Sequence, residues 1–185
     1  MGHYEDFSAI TRHSLQHALA ENSEQLSDVN IEDIMQAYDS LSTFADVNPA
    51  LAHIATDPTI RAVIFSNGTK TMVSNSVLQS KDLSPHASVF KDIVTVDEVR
   101  QYKPAKASYE HLAKQTDTNP SQMSKLWLIS GNPFDIVRAR ATGMQAIWID
   151  RAGTGWADAA IPNLQPTAIV HSLEHITDKI HGHRY

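Results

Sequence analysis

Three short apolar runs, each breaking off at a cluster of small polar residues that opens a helix-like stretch, constrain the fold of this chain more than any other feature. Ala62-Val63-Ile64-Phe65 stops at Ser66-Asn67-Gly68-Thr69, where a helix through Leu78 begins. Ile93-Val94-Thr95-Val96 leads through Asp97-Glu98-Val99-Arg100-Gln101-Tyr102 to Lys103-Pro104, with Tyr109 six residues past the lysine. Leu126-Trp127-Leu128-Ile129 ends in Ser130-Gly131-Asn132-Pro133-Phe134-Asp135, and a further run, Ala146 to Asp150, follows Gly143. Continuous apolar runs of strand length that alternate with helices specify a parallel sheet covered by helices on both faces. The strand ends of such a sheet share one edge, where ligands bind, so the three polar turns belong together.

Each turn carries its own chemistry. The backbone N–H groups after Ser66 and Asn67, with the positive end of the following helix dipole, make an anion or carbonyl cradle. Pro104 suits the first turn of a helix and would hold Lys103 at its mouth. Asp135 sits where a first-turn acid is favoured by the dipole. Taken singly these residues also have structural readings: Ser66 as a turn residue, Lys103 as a solvated lysine, Tyr109 as core, Phe134 as packing. Their occurrence in three consecutive strand-end blocks favours a site.

The three blocks resemble the L-2-haloacid dehalogenases of the haloacid-dehalogenase-like superfamily. The resemblance implies a Rossmann-like α/β core with a helical cap, in which Ser66 and Asn67 bind the substrate carboxylate. It maps the Lys-Pro motif and its tyrosine onto Lys103, Pro104 and Tyr109, and the Ser-x-Asn-x-x-Asp signature onto Ser130, Asn132 and Asp135. Phe134 stands where many members have tryptophan, and with Tyr109, Ser130 and Asn132 it joins the expected substrate-binding set. The opening Tyr4-Glu5-Asp6-Phe7 and Thr11-Arg12-His13-Ser14-Leu15 resemble the middle of the family's cap, which gives a partial cap over residues 1–44 and a core over residues 45–185. The family's Asp-x-x-x-Thr motif, with its nucleophilic aspartate, and the first cap helix, with a substrate-gripping arginine, have no counterpart in these residues. The expectation is an N-terminally truncated member that lacks the central strand. That slot must either close, bringing the strands ending at Ser66 and Ser130 to ~4.8 Å spacing, or be filled by another segment or subunit.

Composition sets limits. With 185 residues and 42% hydrophobic content the chain can bury one sizeable core. A net charge of −6 without a basic cluster argues against nucleic acid, and the absence of cysteine excludes disulfides and thiolate chemistry. No apolar run reaches membrane length, so a cytoplasmic protein is expected. Apolar spacing predicts amphipathic helices over Tyr4 to Ala20 and Ile31 to Leu41, with Thr43 to Pro49 as the return to the core. Thr167 to Val170 reads as a last strand, and Ser172 as the cap of a final helix to about Ile180.

Without the nucleophile, Lys103 and Asp135 become the expected catalytic pair, working by proton transfer with neither cofactor nor metal. The first expectation is therefore a repurposed, non-hydrolytic cyclase, lyase or dehydratase acting on a small carbonyl or carboxylate compound, in a setting such as secondary metabolism. Its alternatives are a dehalogenase-like hydrolase in shortened form and a non-catalytic metabolite-binding or partner-binding protein. Uncovered apolar surface predicts a homodimer.

Overall fold

The computed structural model describes residues 3–158 and 161–183. In chain order its helices and strands are α1 (Phe7–Glu21), α2 (Asp28–Ala37), α3 (Val47–Thr56), β1 (Ala62–Ser66), α4 (Lys70–Gln79), β2 (Phe90–Thr95), α5 (Lys106–Gln115), β3 (Trp127–Ser130), α6 (Pro133–Ala141), β4 (Gln145–Ile149), β5 (Ala168–Val170) and α7 (Ile176–Gly182). All strand pairing is parallel among the described residues, as the apolar runs require. The protein is an α/β fold with parallel sheets.

Helix starts follow side-chain chemistry. Asp6 accepts from the Ala9 N–H at 2.9 Å to begin α1, Ser27 from Asn30 at 3.2 Å to begin α2, and Thr69 from Met72 at 3.2 Å to begin α4. The second front helix is shorter than its periodicity predicts, because α2 ends at Ala37 and a single 3₁₀ turn, Tyr38–Ser40, takes over. Ser172 accepts from Glu174 at 3.2 Å, but it caps a 3₁₀ turn, Leu173–His175, and α7 starts only at Ile176. Pro49 does not end the return segment; it lies in the first turn of α3, where no intrahelical N–H bond is lost.

The chain forms two compact units. The first comprises residues up to Phe44 together with Arg61–Gln101. Its sheet is β1 beside β2, with Phe65 opposite Val94 and Ser66 opposite Thr95. The Tyr4 hydroxyl donates to Asp97 at 2.6 Å, and the Arg100 guanidinium lies 5.4 Å from the centre of the Tyr4 ring. These contacts close the residues before α1 onto the segment that follows β2.

The second unit comprises Ala45–Ile60 and the chain from Tyr102 onward. Its sheet has the order β3-β4-β5, with Ser130 opposite Trp148 and Ile149 opposite Val170. Ile147, Ile149, Val170, Ile176 and Ile180 form its buried centre, with Ile54, Ile60, Trp127 and Ile129 packed around them. Asp46 ties three stretches together: it accepts from the Arg151 guanidinium at 3.0, 3.1 and 3.3 Å, and from the Leu173 N–H at 2.9 Å. Burial opposes ionisation there, yet the Leu173 N–H and the guanidinium hold the Asp46 carboxyl below its ordinary value.

A closed-up pairing of the strands ending at Ser66 and Ser130 is not formed. Among the described residues the strands make two sheets, in which β1 pairs with β2, and β3 with β4.

Candidate active site

In the second unit residues of two of the three sequence blocks converge on one buried carboxylate. Asp135 lies in the first turn of α6, and its side chain is 3% exposed. A buried charge needs partners, and it has three. The Lys103 ammonium donates to Oδ2 at 3.0 Å from a side chain only 11% exposed. The Tyr109 hydroxyl, fully buried on α5, donates to Oδ1 in a short hydrogen bond. The Ser130 hydroxyl, at the end of β3, reaches Oδ2 at 3.5 Å. Tyr109, Lys103 and Ser130 thus come from three separate segments to one side chain.

The local chain explains each placement. Ser130 Oγ accepts from the Asn132 N–H at 3.0 Å, folding the turn after β3, and the Asn132 carbonyl accepts from Asp135 at 3.1 Å to start α6. Pro133 occupies the first helical position, where its missing N–H is not required. Lys103 is delivered differently from the sequence expectation. Pro104 is not in the first turn of a helix; a turn closed by Ala105 N–H to Tyr102 O at 2.8 Å contains a cis Lys103–Pro104 bond, and α5 begins at Lys106. Lys103 is therefore held by the turn before the helix.

Burial, reinforced by the hydrogen bond to Asp135 and the charge of that carboxylate, raises the Tyr109 phenol far above its ordinary 10.0, against the opposing charge of Arg138. Tyr109 is a fixed proton donor. The cluster as a whole is a lysine–carboxylate pair with two hydroxyl donors, capable of orienting a positive charge and holding a negative one in a dry setting.

Asn132 and Phe134 are exposed, Phe134 at 44%. Ser66 and Asn67 belong to the first unit, and the Asp135 cluster to the second. There the Ser66 hydroxyl accepts from the Gly68 N–H at 2.9 Å. Gly68 leaves the turn close packed, because a Cβ would meet Val73 Cγ2 at 3.1 Å and Ser66 Oγ at 3.2 Å, so that those side chains would have to give way slightly. Among the described residues no group of three or more His, Asp or Glu side chains is arranged to hold a metal ion, and no helix is long and apolar enough to cross a membrane.

Sequence reasoning missed Asp150, a second buried carboxylate, 3% exposed at the end of β4. It accepts from the Gly155 N–H at 2.8 Å and from the Thr154 N–H at 3.1 Å, folding the loop back on itself. Burial works against its charge, but the Gly155 and Thr154 donors hold the Asp150 carboxyl below the ordinary 3.8. An acid followed within five residues by Gly153, Thr154 and Gly155 was the available signal, since both glycines adopt positive φ.

Residues 5–149 match the haloacid dehalogenase-like hydrolases, and the chain belongs to that family. It is 28% identical over 151 residues to the (S)-2-haloacid dehalogenase of Xanthobacter autotrophicus, a match covering 82% of this chain and 56% of that enzyme. It is also 28% identical over 179 residues to haloacetate dehalogenase H-2 of Moraxella sp. strain B, covering 94% of this chain and 75% of the relative. Among solved structures, L-2-haloacid dehalogenase RSc1362 superposes with a TM-score of 0.83 at 24% identity, over 97% of this chain and 74% of the other. The Xanthobacter enzyme with chloropropionic acid covalently bound gives 0.82 at 23%, over 99% of this chain and 79% of the other. The chain therefore spans little more than half the length of the first of these relatives.

These matches confirm the resemblance drawn from the motifs and overturn the function first drawn from it. Relatives and structural neighbours are hydrolytic dehalogenases, so the expected conversion to a cyclase, lyase or dehydratase, with its setting in secondary metabolism, is not supported. Reading a missing motif as a change of reaction class gave too much weight to one block.

Proposed function

We propose that this chain serves in a dehalogenase-like hydrolase acting on small 2-halocarboxylates, replacing carbon–halogen by carbon–oxygen with release of halide and a proton. The observation that carries this reading is the buried Lys103–Asp135 pair, joined by Tyr109 and Ser130 at the positions where the family's motifs fall. Whatever supplies the attacking oxygen, these residues have a definable part. Asp135 fixes the Lys103 ammonium, Tyr109 and Ser130 hold Asp135, and the fixed cation favours a carboxylate or a departing halide beside it. In the first unit Ser66, Asn67 and the N-terminal turn of α4 are candidates for binding a carboxylate, and in the second Asn132 and Phe134 are candidates for substrate contact.

The reading extends to a homodimer. Its support is exposed apolar surface in the first unit, with Val29 at 68%, Leu41 at 61%, Phe44 at 65% and Leu78 at 63%. Equilibrium sedimentation giving twice the 20.5 kDa chain mass is the expected result.

The functional test is chloride release from (S)-2-chloropropionate and chloroacetate, followed by ion chromatography. Asp135→Asn should cut the rate by ~10²-fold or more while leaving the fold intact. A protein that neither binds nor dehalogenates any 2-halocarboxylate, or whose halide release ignores Asp135→Asn and Lys103→Ala, refutes the reading.

A further inference from the structure

We propose that Trp148 is a positioning residue for the Ser130–Asn132 turn, acting through the Gly131 carbonyl and held in place by a loop folded around Asp150. The inference rests on the reading of the Asp135 cluster as the active site and assigns that cluster a support that no motif contains.

The turn needs such a support. Ser130 must offer its hydroxyl to Asp135 across 3.5 Å, the outer limit of a hydrogen bond, so a small movement of the turn removes the interaction. Gly131 gives the turn no rigidity through crowding: a Cβ there would meet only the Ile149 carbonyl, at an ordinary 3.8 Å. The Ser130 Oγ bond to the Asn132 N–H folds the turn from within, and a contact from outside can fix its place against Asp135.

Trp148 is placed to do so. It sits on β4 directly opposite Ser130, 8% exposed, and its indole N–H donates to the Gly131 carbonyl at 3.4 Å. Behind it, the Trp156 ring packs edge-on at 5.1 Å and 79°. Trp156 is in turn carried by the loop that Asp150 closes through Thr154 and Gly155. The chain of contacts therefore runs from the Asp150 carboxylate through two indoles to the turn that carries Ser130.

The two indole N–H groups are not equivalent. That of Trp148 is engaged with Gly131, whereas that of Trp156 is buried without an acceptor among the described residues. An unsatisfied buried donor costs stability. Trp156 contributes its ring, and losing its N–H should do no harm.

The test is competitive acetylation of the whole chain with mass-spectrometric readout of Lys103, whose ion-pair partner oxygen is the one Ser130 reaches. Trp148→Phe should raise Lys103 labelling by about twofold or more, the smaller end of coupling inside one hydrogen-bond network. Trp156→Phe should leave labelling unchanged and the melting temperature equal or higher, and Lys106 serves as the internal reference. Ser130→Ala should reproduce the Trp148→Phe effect, and the double variant should add nothing to it. If Trp148→Phe does not fold, Trp156→Ala, which removes the ring behind Trp148, takes its place in the same cycle. Unchanged Lys103 labelling, or effects of the two substitutions that simply multiply, overturns the proposal. A parallel thermal-shift measurement with (S)-2-chloropropionate separates the two claims: no shift in the wild type would count against the functional reading, while the labelling cycle still decides the positioning role.

Discussion

Replacing Lys103 by methionine tests the central ion pair, because methionine keeps most of the apolar stem and removes the ammonium group. The pair is 3.0 Å long, between side chains 11% and 3% exposed, so it belongs with buried rather than surface salt bridges. Breaking a buried pair by removing one partner costs ~3–5 kcal/mol, largely because the remaining charge is stranded. Here Tyr109 and Ser130 stay behind as donors to Asp135, which places the expected loss at the lower end, about 3 kcal/mol. For a chain of this size that corresponds to a fall in melting temperature of about 6–12 °C. Urea unfolding followed by circular dichroism measures it, and an unchanged slope would show that the unfolded state is the same. Adding Asp135→Leu should return part of the loss, since no charge is then left buried, although the buried Tyr109 hydroxyl loses its Asp135 acceptor. A deficit under ~1 kcal/mol, the value of an exposed pair, would refute the burial argument and with it the view that Lys103 is held in a dry site.

The remaining predictions concern neighbouring groups. Tyr109→Phe removes a donor from a buried carboxylate and should cost ~1.5–3 kcal/mol in the same unfolding assay. Gly68→Ala forces a Cβ to within 3.1 Å of Val73 and 3.2 Å of the Ser66 hydroxyl, and should lower stability by about 1 kcal/mol and weaken 2-halocarboxylate binding in a thermal-shift measurement. Asp150 has its carboxyl held below 3.8 in the folded protein, so it contributes stability above that value which is lost as pH falls below it. The stability gap between wild type and Asp150→Ala should therefore be full at neutral pH and close on acidification below 3.8; a gap that widens there would contradict the assignment. Asp46→Ala should show the same sign of pH dependence, because its carboxyl is lowered too.

The strands and the turns after them were legible because their signals are local: apolar runs of four or five residues, then Ser66-Asn67-Gly68 or Ser130-Gly131-Asn132. The convergence of Lys103, Tyr109, Ser130 and Asp135 was legible only through the family resemblance, since spacing along the chain does not say which side chains meet. Pro104 misled because a proline that suits the first turn of a helix suits the turn before it equally well. Asp150, Trp148 and the Asp46–Arg151–Leu173 tie were invisible for a related reason. A carboxylate that organises a loop, or an indole that meets a carbonyl across two strands, leaves no periodic trace.

The Asp46 tie also bears on how the protein is made. Asp46 and Leu173 are 127 residues apart, and Ile54 and Ile60 pack against strands and a helix that lie almost at the other end of the chain. The apolar face of α3 therefore leaves the ribosome long before its partners exist. At about 5–20 residues per second the wait is roughly 6–25 s. During that time α3 stays without its partners, exposed to chaperones or proteases. Termination near residue 150 would leave Asp46, Ile54 and Ile60 without the strand β5 and helix α7 region they pack against.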